Sequence, residues 1–428
     1  MRFFFTLFLF LSLNLFADIQ LVKKENPDSN TTLLVIGGIH GNEPGGYFSA
    51  SILATHYTIN SKNLWIVPNL NKESIRENKR GIHGDMNRKF AKVSNNDKDA
   101  EIVKKIKEII LSKNVSLVLN LHDGHGFYRK ENKGSIFNPN AWGQTCVIDQ
   151  CTLRDKQEFG DLNSIASRVK QNINKKLLKK HHSFNVKNTQ TKYDDEAMQL
   201  SLTYFAVTND KPAFAIETSK NLSSLSQKVF YQLLAIEEFM KIMDIKFTRD
   251  FELNEKKIDK IIKNYGTLKI NDNILLNFSD IKKSLSYLPL KSKGNVFEFS
   301  HPLGSYKKHR GNYVIYVGNK KLTTLKPQYF KMASACPDKF DILIDGKISS
   351  IDKTSDFFVN VDFKVLKKKG YRVNVIGYHA KGHVDESDIT INFKNLNRRF
   401  SVDKKNKVYR VEFYKNDEFC SMNMVHFR

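Results

Sequence analysis

Four groups of residues in this chain have the types and spacing for hydrolytic chemistry. His40 and Glu43 stand three apart in Gly37-Gly38-Ile39-His40-Gly41-Asn42-Glu43-Pro44-Gly45. An imidazole nitrogen and a carboxylate oxygen so placed could converge on one zinc ion, which at catalytic sites typically takes three protein ligands and keeps a position open for water. A surface pair would look the same, so the motif needs a third ligand. Asn120-Leu121-His122-Asp123-Gly124-His125-Gly126 offers two histidines. His122 closes an apolar run that would fix its position, whereas His125 reads as a loop residue near the cleft. Arg80, Asn87 and Arg88 share the segment Arg80-Gly81-Ile82-His83-Gly84-Asp85-Met86-Asn87-Arg88. Arginine recognises a carboxylate through two parallel N–H donors, and asparagine adds another donor. Arg80 could instead polarise a scissile carbonyl and stabilise the oxyanion. The plain alternative is a solvated basic loop. Glu217 ends the apolar run Ala213-Phe214-Ala215-Ile216. A carboxylate beside an activated water can take its proton and later pass it to a leaving amine, although glutamate also commonly opens helices.

These residues need elements to hold them. Thr32-Leu33-Leu34-Val35-Ile36, Leu64-Trp65-Ile66-Val67, residues 115–121 and residues 213–216 are short apolar runs with strand character. Ile102, Val103, Ile106, Ile109 and Ile110 recur at helical spacing, as do Leu222, Leu225, Val229, Leu233, Ile236 and Met240. The alternation predicts an α/β domain with a mixed or parallel sheet over residues 30–245, with functional residues at the carboxyl ends of its strands. From about 246 to 336 the texture turns to short strands and polar turns. Beyond that, residues 358–363, 372–376, 389–393 and 408–413 alternate as half-buried strands, which predicts a small β-sandwich.

Composition and the N-terminus bound the setting. The chain has 428 residues and a formal charge of +24. With 40% hydrophobic and 11% aromatic residues it has ample material for cores, which excludes a wholly disordered chain. The charge points either to an acidic partner or to a lysine-biased composition with no specific partner. Residues 1–17, MRFFFTLFLFLSLNLFA, pair Arg2 with an almost unbroken apolar stretch and the small Ala17. This is the pattern of a cleaved signal peptide, too short for a membrane anchor. Export to the periplasm removes nucleic acid as a partner and permits disulfides. Among Cys146, Cys151, Cys336 and Cys420, the first two could staple one loop and the last two could close the C-terminal region; four free thiols is the alternative.

Taken jointly, H-x-x-E after the first strand, Asn87-Arg88 downstream, a strand-end His122 and a later strand-end Glu217 resemble the zinc metallocarboxypeptidase (M14-like) superfamily, over residues 30 to 245. That resemblance implies that His40, Glu43 and His122 bind one zinc ion and that Glu217 is the general base and acid. It also implies that Arg80 polarises the carbonyl and that Asn87 and Arg88 hold the substrate's terminal carboxylate. Arg80 is preferred over Arg76 because its spacing to Asn87-Arg88 is similar to that of the aspartoacylase and desuccinylase branch. The signal peptide, the G-D-M-N-R-K-F and N-L-H-D-G stretches and the C-terminal β-rich region together resemble the cell-shape-determining DL-carboxypeptidases of helical Gram-negative bacteria. Those enzymes trim the muramyl tripeptide of peptidoglycan to a dipeptide, releasing meso-diaminopimelate. By that resemblance Trp142, Met198 and Thr203 line the substrate pocket, the partners are peptidoglycan stem peptides, and the β-domains contact other cell-shape proteins. The implied architecture is a signal peptide (1–17), an α/β carboxypeptidase-like domain with a mixed sheet flanked by helices (18–246), a small β-barrel-like domain (247–336) and an immunoglobulin-like β-sandwich (337–428). Two competing readings share these residues: an aspartoacylase-like deacylase of N-acyl amino acids, and a cell-wall binding protein without catalysis.

Overall fold

A computed structural model describes residues 19–154, 157–379 and 381–428. The proposed signal peptide and the mature start near residue 18 lie outside the described residues. The chain forms two compact units, the first ending at Asn254 and the second running Glu255–Arg428.

The first unit is built on a seven-stranded sheet. Its strands are β1 (Val22–Lys24), β2 (Thr32–Ile36), β3 (Asn63–Val67), β4 (Val115–Gly124), β5 (Thr145–Ile148), β6 (Asn185–Asn188) and β7 (Ala213–Ser219), in spatial order β1-β3-β2-β4-β7-β5-β6. The central strands β3, β2, β4 and β7 are parallel, while β1 and β5 each run against a neighbour, so the sheet is mixed. Parallel central strands are covered on both faces and therefore read as continuous apolar runs; every residue of β2 and β3 is buried. Helices α1 (Pro44–His56), α2 (Ala100–Ile110), α3 (Leu162–Asn174), α4 (Leu202–Thr208) and α5 (Leu225–Ile242) supply that cover. Helix α1 can lie close because its first turn is Pro44-Gly45-Gly46. A Cβ on Gly46 would sit 2.7 Å from the Leu121 carbonyl oxygen of β4.

The structure revises several local expectations here. β4 runs on to Gly124, so His122 lies inside the strand rather than closing it. β7 likewise extends to Ser219, and the next helix starts only at Leu225, which removes the helix-opening reading of Glu217. Cys146 and Cys151 are unpaired, so no staple closes that loop; Cys146 points into the core while Cys151 is exposed.

The second unit opens with helix α6 (Glu255–Ile262), in a stretch expected to hold only strands and turns. It continues with β8 (Thr267–Ile270), β9 (Ile274–Asn277), β10 (Ser284–Leu290), β11 (Phe297–Phe299), β12 (Gly304–His309), β13 (Asn312–Val317) and β14 (Lys320–Tyr329). These form a three-stranded sheet, β9-β8-β11, and a four-stranded sheet, β10-β14-β13-β12. Then come β15 (Lys339–Ile344), β16 (Lys347–Asp352), β17 (Asp356–Val359), β18 (Asp362–Val365), β19 (Tyr371–Val375), β20 (Ile391–Asn392), β21 (Val408–Lys415) and β22 (Glu418–Phe427), in sheets β16-β15-β18-β20 and β17-β22-β21-β19. Two apolar cores result. One gathers Leu268, Ile315 and Leu325 with Tyr414, Phe419 and Met422 of the C-terminal hairpin. The other gathers Phe340, Phe363, Tyr409 and Phe427. A disulfide joins Cys336 to Cys420.

Two alternating runs do not form single strands. Residues 358–363 break into β17 and β18 because the Asp345 carboxylate accepts the N–H groups of Asn360, Val361 and Asp362 and turns the chain. Residues 389–393 yield only the two-residue β20, since the Asn392 side chain caps a 3₁₀ turn that starts at Phe393.

Candidate active site

Parallel pairing of β4 and β7 sets the site. Its register places Glu217 directly opposite His122. Behind them, the buried Gln232 of α5 donates its Nε2 hydrogens to the carbonyls of His122 (2.7 Å) and Ile216 (3.2 Å), stitching the two strands at that level. From the β2 side, the chain leaves Ile36, turns at Gly38 (φ +78°, a left-handed value glycine tolerates) and delivers His40 and Glu43 to the start of α1. Asp123, one residue beyond His122, anchors that helix start. It accepts from the Gly45 N–H at 2.9 Å and from the Thr218 hydroxyl at 2.6 Å. Burial pushes its carboxyl up to about 6.

His40, Glu43 and His122 meet at the bottom of a cleft of about 280 Å³. One ligand atom from each lies within 4.8 Å of the others, and all three residues are buried. His122 Nδ1 stands 2.8 Å from Glu43 Oε2, and His40 Nδ1 stands 3.1 Å from the same oxygen. His40 Nδ1 is buried there without a hydrogen bond, a state that normally carries a cost unless a partner is supplied. Two imidazoles and one carboxylate are the donors a divalent transition ion takes at a hydrolytic site, so this trio fits a metal. Burial alone would push the Glu43 carboxyl up, but the two histidines outweigh it and hold it well below the usual range. Burial lowers His122. Burial also opposes charge on His40, yet Glu43 and Asp85 prevail and raise it.

The remaining motif residues line the same cleft. Burial, and next the charges of Glu43 and Asp123, push the Glu217 carboxyl well above the usual carboxylate range. Arg80 Nη1 lies 3.2 Å from Glu43 Oε1. Arg76 is not among the lining residues. Asn87 and Arg88 sit in the 3₁₀ turn Met86–Arg88. The Asn87 Oδ1 accepts from the Leu202 N–H at 2.9 Å, which fixes the amide. Arg88 Nη2 reaches Met198 Sδ at 3.6 Å. Trp142 forms a wall, with Lys187 Nζ 4.4 Å from its ring centroid. Thr203 is held from behind by Asp149, whose second hydroxyl partner is Thr191 at 2.5 Å. His125 lines the rim.

Sequence reasoning missed three participants. Asp85 accepts from Arg80 Nε at 2.9 Å, lies 2.8 Å from His40 Nε2, and caps the turn by accepting from the Asn87 N–H at 2.9 Å. Burial would raise its carboxyl, but His40 and Arg80 outweigh that and hold it low. The only signal for it was an aspartate two residues before Asn87, a common cap position. Lys220 Nζ enters the cleft 3.4 Å from Glu43 Oε1, and Asp149 works from behind the wall. Neither carries a local signal.

A family model described as the catalytic part of carboxypeptidases controlling helical cell shape matches residues 2–263, and one described as the C-terminal domain of metallo-carboxypeptidase matches residues 333–428. The cell shape determinant protein Csd4 of Helicobacter pylori, without ligand, is 33% identical with a TM-score of 0.89, over 96% of this chain and 100% of that one. Its tripeptide-bound structure gives the same values. Its mDAP-bound form, described as a D,L-carboxypeptidase, matches with a TM-score of 0.90 and 33% identity, over 95% of this chain and 100% of that one. No curated protein sequence matches the chain. The chain belongs to the metallo-carboxypeptidases that control helical cell shape, a family of peptide hydrolases.

Proposed function

We propose that the protein is a zinc-dependent DL-carboxypeptidase that trims muramyl tripeptide to dipeptide and releases meso-diaminopimelate. The observation that carries this reading is the convergence of His40, Glu43, His122, Glu217 and the Asn87-Arg88 turn on one cleft, in a chain similar throughout to a D,L-carboxypeptidase seen with tripeptide and with mDAP. Zinc held by His40, Glu43 and His122 would polarise the scissile carbonyl and acidify the attacking water. The Arg80 guanidinium donates to the oxygen on which charge develops. Glu217 takes the proton of the attacking water and gives it to the leaving amine; a carboxyl raised by burial holds that proton well enough to deliver it. Asn87 and Arg88 grip the free carboxylate next to the bond, which confines cleavage to the chain end. Trp142, Met198 and Thr203 flank the terminal residue.

The wider setting belongs to the same proposal. Residues 1–17 direct export and are cleaved, and the enzyme works in the periplasm on peptidoglycan stem peptides. No helix among the described residues is long and apolar enough to cross a membrane. We read residues 247–336 as a β-barrel-like domain and 337–428 as an immunoglobulin-like sandwich, a reading supported by two apolar cores, although the first also takes in Tyr414, Phe419 and Met422 of the C-terminal hairpin, and assign them contacts with other cell-shape proteins.

Glu217→Ala tests the chemistry. The variant is expected to keep bound zinc by metal analysis while losing muramyl-tripeptide hydrolysis by at least about 10²-fold. Full hydrolysis by the zinc-loaded variant would refute the assignment.

A further inference from the structure

The charge excess is not spread evenly. Residues 281–336 hold eleven Lys and Arg against a single acidic residue, Glu298. The sheet β10-β14-β13-β12 organises much of this charge. Tyr313, Ile315 and Leu325 face the core. Register pairs Lys307 with Val314, Val314 with Thr324, and Tyr316 with Lys321, which puts these residues on the opposite face. Lys326, two residues beyond Thr324, shares that face by strand alternation. Lys307, Lys321 and Lys326 are exposed and Tyr316 is half-buried.

The edge of this sheet carries a second, independent feature. A bulge between Leu285 and Leu288 of β10 brings Tyr287 beside Lys326. Tyr287 has φ +58° and is 59% exposed. A bulky side chain in the left-handed region is unfavourable and persists only where its surroundings over-determine it. Arg410 does so. It is 3% exposed and donates from Nη2 to the Ser286 carbonyl at 3.0 Å and from Nη1 to the Tyr287 carbonyl at 3.3 Å. Its charge is met by Glu412 at 3.5 Å, which in turn accepts from the Tyr414 hydroxyl at 2.7 Å. A buried ionic network, which is seldom a net source of stability, thus fixes a strained bulge that holds an exposed tyrosine at a backbone position opposite Lys326.

We infer that this lysine-bearing sheet face, with Tyr287 at its edge, binds an anionic glycan polymer, the peptidoglycan strand, apart from the catalytic cleft. The choice of polymer rests on the peptidoglycan reading above. An aromatic ring offers its flat apolar face to the C–H face of a sugar, and ammonium groups complement the free carboxylates of stem peptides. The lysines come from β12 and β14, which flank β13 and so stand two strand spacings, roughly 9.6 Å, apart. That spacing suits a chain of repeated carboxylates, whereas a single small anion needs donors that converge.

The test is co-sedimentation of the full-length protein with purified sacculi, alongside hydrolysis of soluble muramyl tripeptide. The triple variant Lys307→Glu, Lys321→Glu, Lys326→Glu is expected to reduce sacculus retention at least tenfold while cutting the soluble tripeptide at the parent rate. Tyr287→Gly removes the ring and relieves the backbone, so the fold is not endangered; it is expected to reduce retention several-fold. Retention of both variants at the parent level would overturn the proposal. So would loss of binding by the triple variant to anionic phospholipid vesicles with sacculus retention unchanged, which would make the face a membrane contact. A parent protein that sediments in this charge-dependent way yet leaves the tripeptide uncut would support the surface and contradict the enzyme assignment.

Discussion

Asp85 ties together three groups that the motifs treat separately: the His40 ring, the Arg80 guanidinium and the backbone of the Asn87-Arg88 turn. A carboxylate behind a metal-ligating histidine fixes the ring, and its loss typically weakens metal binding 10–100-fold. Asp85→Ala is therefore expected to weaken zinc affinity by about that factor in a competition titration; unchanged affinity would count against this role. Asp149 gives a pH-dependent counterpart. Burial raises its folded pKa to about 6, above an unfolded value of about 3.9. The fold then favours the protonated acid, so the stabilisation is complete below about pH 4 and is lost as pH rises through about 6. Asp149→Asn removes this dependence. Relative to the parent it should gain stability between pH 4 and pH 7, by up to about 3 kcal/mol, in urea unfolding at the two pH values. A pH-independent difference would contradict it. The motif residues were legible because each pairs a reactive type with the end of an apolar run or a glycine turn. Asp85 and Asp149 were not, because Asp85 meets His40 across 45 positions of sequence and Asp149 meets Thr203 only through the folded sheet.

At the scale of elements, close approach of α1 to β4 delivers Glu43 to His122. Gly46 makes that approach possible, since its Cβ would meet the Leu121 carbonyl oxygen, a backbone atom that cannot swing aside. Gly46→Ala is expected to cost about 1–3 kcal/mol in chemical denaturation and to lower zinc affinity as well. A variant with parent stability and affinity would show that the helix yields freely. The buried strands β2, β3, β4 and β7 were readable as apolar runs, and the long helix α5 was readable from the helical spacing of Leu225, Val229, Leu233, Ile236 and Met240. The shortfall lies where tertiary contacts decide. Helix opening stood as the plain alternative for Glu217, and only the pairing of β7 with β4 as far as Ser219 removes it. An even alternation over residues 358–363 broke because Asp345 captured its N–H groups. Strands β5 and β6 span only four residues each and offer no pattern to read, whereas helix α3 buries Leu162, Ala166, Val169 and Ile173 at helical spacing, a signal that the sequence reading passed over.

At the scale of the whole molecule, the cleft belongs to the first unit, while the Cys336–Cys420 bond lies in the second. A cross-link between positions 84 apart limits the unfolded chain, and its removal typically costs about 2–5 kcal/mol. Cys336→Ser should therefore lower the melting temperature of the second unit and leave soluble-tripeptide hydrolysis intact. A parallel loss of hydrolysis would mean that the first unit depends on the second. Part of the net charge of +24 now divides by location: Arg80 and Arg88 line the cleft, and Lys307, Lys321 and Lys326 serve the proposed polymer surface. A metal-dependent carboxypeptidase of this kind removes the terminal residue of the muramyl tripeptide. Mass spectrometry of muropeptides incubated with the protein, with and without a chelator, is the decisive assay. The expected result is conversion of tripeptide to dipeptide with release of diaminopimelate, abolished by chelator and restored by added zinc. Intact tripeptide after incubation with zinc-loaded protein, or cleavage that persists in chelator, would contradict that metal-dependent activity.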